Sequence, residues 1–201
     1  MKYYLKQGLF PFIYIVFMII TSVSILSIHD LVWLKAILAV LNVGLFGLIA
    51  ALMAFQEGEN SVKVQMANDA ERREIIRTGE DRPLKLHEEY KAWKGFLFGF
   101  ISCCPLVILL LLHTLLYLVA EITVFGTISA IIYVMFFAFF RLGVSAESGA
   151  TLPWYTYYGT LIALPIVMTI MGVAYILGAK KIERQQEMIK AKQREIYGDK
   201  I

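Results

Sequence analysis

Five stretches of this chain run for about twenty residues or more with almost no charge, and that pattern restricts the fold more than any motif does. They cover residues 9–28, 31–55, 95–119, 122–142 and 158–179. A helix needs roughly 20 predominantly apolar residues to cross the hydrocarbon core of a bilayer. Within that core, every backbone N–H and C=O must be satisfied inside the protein, which leaves helices as the economical solution for runs of this length. Hydrophobic residues make up 59% of the 201-residue chain, against about 45–50% in a soluble domain. The expectation is an all-α integral membrane protein. It would be a bundle of about five transmembrane helices with a charged helical loop and a helical C-terminal tail.

The segments follow from where this pattern is interrupted. Residues 1–55 hold the first two spans. Residues 56–94 carry eight Lys/Arg and nine Asp/Glu and form the charged, cytoplasmic loop. Residues 95–179 hold three more spans, and 180–201 form the charged tail. The N-terminal apolar run is too long for a signal-peptide core and has no small-residue cleavage site after it, so it reads as a retained span. Asp30 is placed to cap the second helix. Asn60 or Ser61 is placed to cap a separate helix over 61–78, ended by Gly79. After the "GEDRP" turn, "LKLHEEYKAWKGF" reads as a helix restarting toward the bilayer, with Tyr90, Lys91, Trp93 and Lys94 at the interface.

Five spans conflict with the distribution of positive charge. An odd number puts the N-terminus and the tail on opposite sides. With the N-terminus inside, eleven Lys/Arg fall on the cytoplasmic side and eight on the other, a thin margin for the positive-inside rule. Yet the tail opens with Lys180 and Lys181 directly after a span and reads as cytoplasmic in its own right. Either one apolar stretch does not cross fully, with Pro105 and Pro165 marking candidate breaks, or the N-terminus is outside.

Small residues mark the faces where helices approach closely in lipid. These are Gly47 and Ala51; Gly95, Gly99 and Cys103; Gly126 and Ala130; and Gly159 and Ala163. Cys103 and Cys104 are adjacent, lack metal-site spacing, and read as packing residues.

Polar groups at membrane depth are costly and therefore informative. His113, Tyr117 and Glu121 are spaced four and four, which places them on one helical face. Either they form a short proton relay leading inward from Glu121, or His113 makes a structural hydrogen bond while Glu121 sits at the surface. Asn42, deep in the second span, needs a partner and is expected to join helices. Arg141 ends the fourth span, where its guanidinium can snorkel to the interface. These five residues form the candidate intramembrane polar site.

The sequence carries no nucleotide-binding loop, zinc-protease motif or calcium loop, and no clustered nucleophile and base. No cofactor or metal is implied, and no basic run interleaved with aromatics suggests nucleic acid. The tail repeats Ile182, Ile189 and Ile196 every seven residues, half of a coiled-coil seam. The expected function is a non-enzymatic membrane subunit or adaptor in the cell membrane. Its partners would be the lipid bilayer and either another membrane protein or a second copy of itself. The alternative is a component of a small-solute or proton-coupled transporter working through His113.

Overall fold

The computed structural model describes residues 2–28, 31–79, 83–86, 88–134, 136 and 154–197, apart from a few side chains within the helices. Every regular element among them is helical: α1 Lys2–Leu26, α2 Val32–Thr78, α3 Trp93–Ala120, α4 Val124–Ile132, a 3₁₀ helix Trp154–Ile162, and α5 Ala163–Tyr197. Three of the described helices are long and apolar enough to cross a membrane: α2, α3, and the continuous 3₁₀–α5 unit. Their outer faces carry exposed Leu41, Leu48, Leu52, Ile108, Leu111, Leu115, Val173 and Leu177, a surface suited to lipid rather than water. This is an integral membrane protein.

The helix directions can be read from the two ends of the bundle. At one end Tyr3 of α1 hydrogen-bonds Glu57 of α2, Lys94 of α3 lies over the Tyr3 ring, and Tyr90 stacks on Tyr175 of α5. At the other end His113 of α3 meets Tyr157 of the 3₁₀ helix and closely faces Gly126 of α4. So α1 runs away from the Tyr3 end, α2 returns to it, α3 leaves again and α5 returns. The stretch that contains α4 begins beside the α3 terminus and is back at the same end by Trp154, which stacks on Tyr117. Between them the chain reaches mid-depth: Tyr133 donates to the Ser102 carbonyl at 3.3 Å, and Phe136 packs edge-on against Phe46.

Two expectations about the loop need correction. The Asn60/Ser61 cap does not form; α2 runs without a break through "QEGEN" for 47 residues. Gly58 is the reason. It lies directly against the Tyr175 carbonyl of α5, and Gly178 lies reciprocally against the Phe55 carbonyl. Backbone-to-backbone contact there holds the helix straight past the end of its apolar stretch. Nor does a helix restart at 84; the described residues of 83–92 stay irregular until Trp93. Asn68 accepts from the Lys85 amide at 3.2 Å and donates to Glu89 at 2.9 Å. Arg72 pairs with the same carboxylate at 2.6 Å. Side chains of α2 thus take the bonds that a new helical turn would need. Gly79 does end α2, in the left-handed conformation, with its N–H on the Ile75 carbonyl at 2.8 Å. Asp30 and residues 80–82 lie outside the described residues.

Both candidate proline breaks are absent. α3 continues through Pro105. Pro165 falls in the first turn of α5, where a missing N–H costs little. Before it, the nine residues Trp154–Ile162 wind as a 3₁₀ helix, long for that geometry. The core sits where α2, α3 and α5 meet, around Phe46, Phe98, Leu106, Leu110, Met171 and Tyr175.

Candidate functional site

Two groups of polar side chains lie at the two ends of the bundle. At the far end, His113 is fully buried. Its Nε2 lies 3.2 Å from the Trp154 carbonyl. A carbonyl can only accept, so Nε2 carries a proton and donates. The Nδ1 of the same ring has no hydrogen-bond partner among the described residues and faces Gly126. The imidazole is packed edge-on against Tyr157 at 5.0 Å between centroids. Tyr117 is turned to stack on Trp154 at 5.6 Å, with its ring centroid 6.1 Å from that of His113. Glu121 is exposed and closes α3 in the left-handed conformation at φ 55°. His113 and Tyr117 lie side by side, but Glu121 lies past the end of the helix and His113 bonds across to Trp154 rather than along the helix to Tyr117.

The other members of the candidate set lie apart from these. Asn42 is buried and donates to Ser22 Oγ, joining α2 to α1. Arg141 lies outside the described residues. The small-residue positions sit at helix contacts. A side chain at Gly47 would meet Ile170 at 3.1 Å, and one at Gly95 would meet the Met171 carbonyl at 3.0 Å. Gly99 lies against Met168, and Gly126 against His113 and Tyr157. Cys103, Ala130 and Ala163 are buried, Ala51 packs on the core from its edge, and Gly159 is half-buried.

The near end holds a site that the sequence reading passed over. Glu57 accepts from the Tyr3 hydroxyl and from Gln7 Nε2 at 2.9 Å, so both its oxygens are engaged by α1. Tyr3 and Gln7 are one helical turn apart, which brings both to the same side. Lys94 is fully buried; its Nζ donates to the Glu89 carbonyl and lies 5.6 Å from both the Tyr3 and Tyr4 ring centroids. Aromatic faces and a carbonyl thus replace much of the water that an ammonium loses on burial. Burial, reinforced by Glu183, raises the Tyr90 phenol above its ordinary pKa, so it stacks on Tyr175 as a neutral ring.

These groups border a cleft of about 520 Å³ lined by Tyr3, Lys6, Gln7, Glu57, Asn60 and Glu88, among others. Gln7, Glu57 and Asn60 also form the mouth of a smaller pocket, about 140 Å³, with Phe10, Met53, Phe98 and Met171 around it. The combination is a polar mouth over an apolar floor, opening at the boundary between the apolar and charged parts of α2. Among the described residues no three His, Cys, Asp or Glu side chains are grouped to hold a metal. One signal in the sequence could have pointed here: Glu57 stands between Gln56 and Gly58 at the edge of an apolar run, where an acid must find a donor. No known family model matches the chain, and no curated protein or solved structure matches it either.

Proposed function

We propose that this chain is a non-enzymatic adaptor of the cytoplasmic membrane, crossing it four times and holding a partner through helices that project into the cytoplasm. The crossings would be α1, α2, α3 and the 3₁₀–α5 unit, with the end of α3 and Trp154 on one side. An even count removes the charge conflict. Residues 1–8, 56–94 and 180–201 then share a side and hold seventeen of the nineteen Lys and Arg, a strong bias toward the cytoplasm.

One observation carries the adaptor reading: α2 and α5 leave the apolar zone as unbroken, parallel helices, and beyond Ile182 α5 goes on largely exposed. Ile182 is buried with Val62 and Ala179. Beyond it Met188, Ile189 and Ile196 are 58%, 50% and 71% exposed. A solvated helix that keeps apolar residues at heptad spacing presents a seam for another helix. The partner would be a helix of a second membrane protein or of a second copy. The test is truncation after Ile182, with assembly size measured in mild detergent. The intact chain is expected to run as a complex and the truncated chain as a single copy. An intact chain that runs alone would refute the adaptor.

The cleft at Glu57 favours a second reading, a component that takes up a small amphiphilic solute. Its polar mouth and apolar floor suit a ligand with one polar end. If so, Glu57→Gln abolishes binding of that solute while leaving the assembly intact.

A further inference from the structure

The tail helix meets the end of the apolar zone at a groove unlike any other part of the described surface. It is about 290 Å³ and is lined by Leu177, Lys180, Lys181, Arg184, Gln185 and Met188. The spacing brings these residues to one side of α5 over about three turns. Three of the six are cations and none is an acid. Lys181 is held in place: its Nζ pairs with Glu59 at 2.6 Å and lies 5.3 Å from the Phe55 ring centroid. Lys180 and Arg184 are exposed. Below the groove, toward the bilayer, exposed Val173 and Leu177 continue the lipid-facing side of the same helix.

We propose that this groove binds the phosphate headgroup of an anionic glycerophospholipid, with the acyl chains descending along Leu177 and Val173. The vertical order of the groove matches that of a lipid: apolar side chains first, then a basic ring at headgroup level. From Leu177 to Arg184 is about 10 Å along a helix axis at about 1.5 Å per residue, the scale of a headgroup and its glycerol. Charge decides the lipid class. A choline or ethanolamine cation would be brought against Lys180 and Arg184, whereas phosphatidylglycerol adds net negative charge that they can neutralise. Basic residues close to an anionic membrane surface each strengthen attraction by about fivefold, and salt weakens it.

The test uses the full-length chain in mild detergent, titrated with phosphatidylglycerol or phosphatidylcholine and read by native mass spectrometry. Phosphatidylglycerol is expected to be retained at least about fivefold more than phosphatidylcholine, with the preference declining as salt is raised. Lys180→Gln with Arg184→Gln should remove the preference. Lys180→Arg with Arg184→Lys should keep it, as should Lys190→Gln with Lys192→Gln further along the tail. Equal retention of the two lipids would overturn the proposal, as would a preference that survives the Lys180/Arg184 double neutralisation. Displacement of phosphatidylglycerol by inorganic phosphate alone would assign the groove to a soluble anion and overturn it too.

Discussion

A single hydrogen atom is all the room available at Gly58 and at Gly178. Each alpha carbon rests against a carbonyl of the opposite helix, Tyr175 for the first and Phe55 for the second, and a backbone atom cannot rotate away as a side-chain end can. Gly58→Val or Gly178→Leu is therefore expected to destabilise the fold by at least about 1–3 kcal/mol, the usual range for overpacking. Unfolding in a graded detergent mixture measures it. Gly44 is the control, since an added methyl there meets nothing within 4 Å, and Gly44→Ala should be near neutral or slightly stabilising. Glu121 makes a different demand. It is the described non-glycine residue with positive φ, a conformation costing an L-residue roughly 1–2 kcal/mol. Glu121→Gly should raise stability by about 1 kcal/mol. A proton relay starting at Glu121 would instead lose function in that variant. His113→Leu should cost about 1–3 kcal/mol, because the Trp154 carbonyl loses its donor while remaining buried.

At the scale of elements, the helices were legible wherever periodicity and apolarity agreed, as they do over α3 and α5. They were misread where tertiary contact overrode local chemistry. "QEGEN" has the composition of a break, and Asn60 and Ser61 are good caps, yet packing on α5 carries α2 straight through. "LKLHEEYKAW" has helical propensity, yet Asn68 and Arg72, far off in sequence, take up Lys85 and Glu89. Neither effect can be read from a window of neighbouring residues. The same applies to the cleft: Tyr3, Gln7 and Glu57 are ordinary surface residues until α1 and α2 are laid side by side. The clasp between α2 and the irregular segment is testable by itself. Glu89→Ala removes the acceptor shared by Asn68 and Arg72, and should speed amide exchange at Lys85 and proteolysis within 83–92 while leaving α3 protected.

For the whole molecule, the decisive quantity is the parity of crossings. Tyr3, Glu57, Lys94 and Tyr175 meet at one end, and that meeting cannot survive an odd number of passages between the N-terminus and the tail. Tags placed at residue 70 and at the C-terminus should report the same side of the membrane, and a tag at residue 122 the opposite one. Tags at 70 and at the C-terminus on opposite sides would sink the four-crossing arrangement and, with it, the shared cytoplasmic surface. Apolar runs alone do not decide the count, because a segment that enters and returns has the same composition as one that passes through.

The unbroken course of α2 has a mechanical consequence. A helix of 47 residues is about 70 Å long at about 1.5 Å per residue, and it is clamped near its middle at Gly58. Such a rod has no joint in which to absorb a tilt. Leaning its lipid-embedded half by about 10° swings the outer tip, some 30 Å from the clamp, through roughly 5 Å by simple leverage. Strain in the bilayer or a shift against Phe136 is thereby delivered at full amplitude to whatever rests on the far end.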